Sequence, residues 1–154
     1  MPENRALYEQ VILEHNKKPR NFRDMPEASC KSEGYNPLCG DHFTIYVKVN
    51  GDIIEDVSFM GAGCAISKSS ASVMTTLLKG KTRKEAEALF VKFHGMVTAS
   101  PEADIDENDL GRLSVFAGVR EFPVRIKCAT LAWHSMLAAL DGKDAPVTTE
   151  SDPS

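Results

Sequence analysis

The sequence predicts an α+β domain. Strand-like and helix-like patterns fall in separate blocks instead of alternating, which favours an antiparallel sheet with helices packed on it. One block, "HFTIYVKVNGDIIEDVSFMG" at 42–61, fills both arms around an Asn-Gly turn with β-branched and aromatic residues. The apolar residues outside it recur at helical spacing. The 154 residues suit one domain with a usable core.

The elements follow in order. Leu7, Tyr8, Val11 and Ile12 place an amphipathic helix between Asn4 and about Asn16, ended by Pro19. The stretch "NFRDMPEASCKSEGYNPLCGD" reads as irregular. In the hairpin, Phe43, Ile45, Val47 and Val49 mark the buried face of the first arm. "GAGCAISKSSASVMTTLLKGK" opens on glycines and then sets Ile66, Val73, Met74 and Leu77 on a helical stripe, with Ser and Ala suited to a close neighbour. Thr82 and Glu85 form a capping box ahead of a helix whose Ala86, Leu89, Phe90 and Phe93 point inward. "DENDLGRLSVFAGV" predicts a short helix with an acidic first turn. After Pro123 a last helix carries Cys128, Leu131, Ala132, Ser135, Met136, Ala139 and Leu140 on one face and stops at Gly142. One domain over 1–143 and a disordered polar tail over 144–154 complete the expectation.

A net charge of −4 argues against nucleic acid or an anionic membrane as main partner, and local runs such as "NKKPR" and "KGKTRK" read either as docking patches or, as most such runs are, as solvated faces. The charged N-terminal stretch lacks an apolar signal region, and no window is long enough to span a membrane. The expected location is the cytoplasm, where the four cysteines stay reduced.

No C-x-x-C pair is present, so a metal site has to be assembled from distant segments. Cys39 lies in a glycine-containing turn, Cys64 directly precedes a helix, and Cys128 is expected in the first turn of the last helix. Exposed amides and the helix macrodipole favour thiolate there. Gly40, Gly61 and Gly63 would let the backbone approach a bound atom. Three thiolates with Asp41 make a tetrahedral zinc set, whose negative charge Arg125 and Lys127 could offset. Each residue also has a plainer reading. A lone cysteine is usually a small hydrophobe, as Cys30 is read here, and Asp41 alone would be a turn residue. His15, His42, His94 and His134 lack ligand spacing, although His42 adjoins Asp41. Spacing alone leaves the site and the plain readings both open.

Together, "NPLCGD", "GAGCAISKSSASVM" and "VRIKCATLAWHSM" resemble the IscU/NifU-N-terminal family of iron–sulfur assembly proteins, in particular its SufU branch. The resemblance implies a small antiparallel sheet of three strands covered by helices, with Cys39, Asp41, Cys64 and Cys128 as zinc ligands at one exposed end. It implies a sulfurtransferase that accepts persulfide sulfur on Cys39 from a pyridoxal-phosphate-dependent, SufS-type cysteine desulfurase and passes it to a downstream assembly scaffold. Arg125 would steady the released thiolate or the carboxylate. The alternatives are a scaffold that builds a [2Fe–2S] cluster on the same residues, and a purely structural zinc domain. Scaffold-type members carry a His directly before the last cysteine, where this chain has Lys127. The stretch 97–115 resembles an extra segment of the SufU branch. Both features favour the transferase.

Overall fold

The Asn50-Gly51 turn folds two long strands back on each other, with Gly51 at a φ of 63° that a side chain would disfavour. The strands are β2 (Asp41–Asn50) and β3 (Ile53–Ala62), paired antiparallel from His42 opposite Ala62 to Asn50 opposite Ile53, with a register shift at Lys48/Val49. Phe43, Ile45 and Val47 are buried on one face, and Val49, past the register shift, is half-buried. The computed structural model describes residues 2–104, 110–142 and 147–148, with side chains from residue 8 onward.

Two further strands complete a four-stranded mixed sheet in the order β3-β2-β1-β4, in place of the expected three-stranded antiparallel one. β1 (Cys30–Asn36) pairs antiparallel with β2, from Cys30 opposite Val47 to Asn36 opposite Asp41. It lies inside the stretch read as irregular. Its inward residues are Ser32, Gly34 and Asn36, so it lacks the apolar alternation that marks a strand. The reason is steric: a Cβ on Gly34 would lie 2.2 Å from Ser135 Oγ, so β1 keeps a small face where a helix presses on it. β4 (Val147–Thr148) runs parallel to β1, with Val147 opposite Gly34. It falls within the stretch read as a tail, of which residues 144–146 and 149–154 lie outside the described residues.

The helices are α1 (Pro2–Lys17), α2 (Ala65–Leu78), α3 (Arg83–Val97), a 3-10 helix (Gly111–Glu121) and α4 (Pro123–Leu140). The segment after residue 110 winds as 3-10, and the acidic turn expected at 106–109 lies outside the described residues. The Thr82–Glu85 capping box forms as read, with Glu85 N–H donating to Thr82 Oγ1 at 3.1 Å and Thr82 N–H to Glu85 Oε1 at 2.9 Å. α2 is not a one-faced helix. Its burial runs through Ser67, Ser69, Ser70, Ala71, Ser72, Val73, Met74 and Thr75, whereas Ile66 and Leu77 are only half-buried.

α2 lies between α1 and α4 and against β3, which leaves it little open face. Its small polar side chains let the neighbours close in and satisfy their buried groups. Ser70 Oγ donates to Ala129 O at 2.6 Å and accepts Trp133 Nε1–H at 3.2 Å. Ser72 Oγ accepts Arg20 N–H at 2.7 Å and meets His15 Nδ1 at 2.7 Å. Trp133 stacks on Phe93 at 4.9 Å, and Phe93 meets Phe116 edge-on at 5.9 Å, locking α3 and the 3-10 helix to α4. α4 also lies across β1 and β2. This packing carries Cys128 to the sheet end where β1 turns into β2.

Candidate metal centre

The turn from Asn36 to Gly40 is held by Cys39 N–H donating to Asn36 O at 3.2 Å, with Pro37 preset at its second position. It places half-buried Cys39 beside the exposed Leu38. Asp41 opens β2 and is buried, at 2% exposure. Both its carboxylate oxygens accept hydrogen bonds: Oδ1 from Cys64 N–H at 2.8 Å, Oδ2 from Asn36 Nδ2 at 3.1 Å. Cys64 is the N-cap residue of α2, and its amide, left without a helical partner, serves the carboxylate.

Cys128 is fully buried, and its Sγ donates to Cys39 Sγ at 3.1 Å and accepts Asn36 Nδ2–H at 3.3 Å. The ligand atoms of Cys39, Asp41 and Cys128 all lie within 4.8 Å of one another. The Cys64 thiol lies outside this group of three, on the Cys128 side of it and 3.5 Å from Ser67 Oγ. In a tetrahedral zinc site with bonds of about 2.0–2.3 Å, neighbouring ligand atoms are about 3.3–3.8 Å apart. Cys39 Sγ and Cys128 Sγ, 3.1 Å apart, are close to that spacing, and with Cys64 alongside, the thiols and the carboxylate are donors zinc accepts, so the residues fit the ion.

Without a metal the thiols divide their protons unequally. Cys64 is pulled down from an ordinary value of 9.0 to about 5, first by its hydrogen bond from Cys128 and then by Ser67. Cys128 is pushed up, because its one proton is shared with the sulfurs of Cys64 and Cys39 and it is shut away from water. Cys128 therefore departs from the sequence expectation. α4 starts at Pro123, so Cys128 sits in the second turn, past the orphan amides that would favour a thiolate.

The glycines act differently from the sequence reading as well. A Cβ on Gly63 would lie 2.6 Å from Asp41 Oδ1, 2.7 Å from Ser67 Oγ and 2.8 Å from the Phe43 ring, so Gly63 makes room for the carboxylate. A Cβ on Gly61 would strike the His42 backbone at 2.2 Å. Gly40 (φ 72°) has no heavy atom near its Cβ position among the described residues and serves the turn.

An open groove beside the cluster is lined by Cys39, Cys64, Glu121, Phe122, Pro123, Val124 and Arg125. Phe122 and Val124 are exposed and, with Leu38, give the cysteines an apolar rim. Arg125 is exposed at the groove wall. Lys127 is half-buried. His42 is exposed on β2, stacked on Tyr35 at 4.2 Å and 3.2 Å from Glu33 Oε1. Cys30 begins β1, at the opposite end from Asn36, and burial pushes its thiol up, in keeping with its reading as a small hydrophobe. Sequence reasoning missed Asn36, whose only signal was its place before Pro37 in the turn.

The comparisons with known proteins agree with this architecture. The NifU-like N-terminal domain family matches residues 7–129, and the chain belongs to that family. It is 44% identical over 131 residues to the zinc-dependent sulfurtransferase SufU of Bacillus subtilis, covering 85% of this chain and 87% of that one. It is 39% identical over 134 residues to the iron–sulfur cluster assembly scaffold protein IscU of Streptococcus pyogenes, covering 87% and 82%. A crystal structure titled as a SUF-system cluster assembly scaffold from Fervidobacterium islandicum superposes with a TM-score of 0.78 at 36% identity, over 85% of this chain and 94% of that one. No helix among the described residues is long and apolar enough to cross a membrane.

Proposed function

We propose that the chain is a zinc-dependent sulfurtransferase of iron–sulfur cluster assembly, with Cys39, Asp41, Cys64 and Cys128 holding the ion and Cys39 accepting the sulfur. The observation that carries the reading is a cluster of Cys39, Asp41 and Cys128 in which only Cys39 rides on a turn at an open groove. Its 44% identity to a zinc-dependent sulfurtransferase supports the same conclusion.

Cys39, Asp41, Cys64 and Cys128 would hold the zinc, which would keep the thiols deprotonated. The donor is the persulfide of a pyridoxal-phosphate-dependent, SufS-type cysteine desulfurase. The apolar rim of Leu38, Phe122 and Val124 suits a protein donor, because each is exposed with nothing polar to satisfy. The Cys39 thiolate attacks the outer sulfur of that persulfide, and a new S–S bond forms on Cys39. The donor's own S–S bond breaks, and the electron pair leaves with the donor cysteine as thiolate. Charge and oxidation level balance without a co-reactant.

Arg125 on the groove wall offers a guanidinium to the reacting thiolate. Lys127 stands where scaffold-type members have a histidine, and an ammonium is no ligand while protonated. The sulfur then passes to a cluster-building scaffold in the cytoplasm, and the functional unit is the domain over 1–143.

The test is desulfurase turnover with and without this protein. The parent chain should stimulate it, whereas Cys39→Ala should retain some zinc and stimulate nothing. Full stimulation by that variant would refute the assignment. A stable visible chromophore after anaerobic reconstitution, transferable to an apo-acceptor, would instead support the scaffold function named for the 39%-identical relative.

A further inference from the structure

We infer that Asn36 is the positioning residue that keeps Asp41 and Cys128 paired while Cys39 is free to move. The inference rests on the zinc-site reading above and extends it to a residue outside the ligand set. Asn36 is fully buried at the last position of β1, opposite Asp41 in register. Its side-chain amide donates to Asp41 Oδ2 at 3.1 Å and to Cys128 Sγ at 3.3 Å, so a single NH2 group spans two ligands from β2 and α4.

Its relation to Cys39 is of another kind. There the main-chain carbonyl of Asn36 accepts Cys39 N–H at 3.2 Å, which shapes the turn and leaves the sulfur unrestrained. The only described hydrogen bond at Cys39 Sγ comes from the Cys128 thiol, a proton that metal binding removes. The two-proton donor of Asn36 is thus spent on the buried ligands, and the ligand on the turn receives none. Asp41 is held still further, since its other oxygen takes Cys64 N–H.

A donor bond to an anionic ligand counts for more when fewer ligands hold the ion. Asn36 should therefore matter most when Cys39 is absent, as it is in effect while that sulfur is engaged elsewhere. Replacing Asn36 with Ala removes its side-chain bonds to Asp41 and Cys128 and leaves the main-chain bond to Cys39 in place.

The experiment is chelator competition on the zinc-loaded full chain in four forms: parent, Asn36→Ala, Cys39→Ala and the double variant. Loss of a residue that supports a ligand lowers metal affinity by about 10- to 100-fold. Asn36→Ala alone should fall toward the low end of that range, and the same change in the Cys39→Ala background should fall at the high end. A role limited to packing would lower affinity equally in both backgrounds, and that additivity would overturn the inference. So would unchanged affinity in Asn36→Ala. Asn36→Ser, which keeps a donor, should recover part of the loss. A parent chain that binds no zinc would instead defeat the underlying site reading, an outcome distinct from additivity.

Discussion

Gly63→Ala puts the site's construction to a quantitative test. The added methyl would meet Asp41 Oδ1 at 2.6 Å, Ser67 Oγ at 2.7 Å and the Phe43 ring at 2.8 Å, where ordinary contact needs 3.4 Å or more. At least 0.6 to 0.8 Å of movement is required on three sides at once. Asp41 Oδ1 is the nearest of the three and ends a side chain that can rotate, whereas the Phe43 ring is wedged in the core, so the carboxylate is the group that yields. Its 2.8 Å bond from Cys64 N–H then breaks. Overpacking costs about 1–3 kcal/mol, and losing a hydrogen bond to a charged group about 1.5–3 kcal/mol. Part of each is recovered by relaxation, leaving a loss of about 2–5 kcal/mol. For a chain of this size, that lowers the melting temperature by about 5–15 °C. Zinc affinity should fall with it, because the displaced group is one of the proposed ligands. Thermal melting with and without zinc, together with chelator competition, measures both. Gly95 is the control: it lies exposed in α3 with nothing near its Cβ position among the described residues, and Gly95→Ala should stabilise by about 0.5–1 kcal/mol. A Gly63→Ala protein that melts within about 2 °C of the parent and holds zinc as tightly would refute the reasoning.

Three other outcomes are expected. Thr82→Ala removes one half of the α3 capping box and should cost about 1 kcal/mol in denaturant unfolding without altering zinc binding. In the zinc-free chain, the thiolate of Cys64 should disappear from ultraviolet absorbance as the pH falls through about 5, and Cys64→Ala should lack that step; the lowered value stabilises the zinc-free fold fully above pH 9 and is lost as the pH drops through about 5. His15 is held below its ordinary 6.5, first by burial and then by Arg20 and Arg112 against the opposing Glu14. The unfolded chain takes that proton more readily, so the contribution of His15 is full above about pH 6.5 and shrinks below it, a slope that His15→Asn should flatten in pH-dependent melting.

How legible each part was depended on what surrounds it. The β2–β3 hairpin could be read because its strands carry an apolar face and an Asn-Gly turn, both local signals. β1 could not, because α4 presses on its inner face and admits only Ser32, Gly34 and Asn36 there. For α2, periodicity pointed to a stripe with Ile66 and Leu77, but helices on two sides and β3 bury its serines instead. The start of the last helix at Pro123 was legible, because proline favours the first helical position, yet Cys128 falls in its second turn and so lies past the free amides that the first-turn reading relied on.

The sequence by itself determined the elements with strong local periodicity, the α3 cap, the candidate ligands and, through three motifs in order, the family. Each of those signals is local, and even the family rests on three motifs that are each written in a short run of residues. Only the tertiary structure decided that Asn36 bridges Asp41 and Cys128, that Gly63 makes space for the carboxylate, and that Cys128 lies buried while Cys39 lies at the groove. These are contacts between residues as many as 92 positions apart, fixed by how α4 crosses the sheet. No local pattern encodes such a crossing, because its geometry depends on the volumes of side chains drawn from several elements at once.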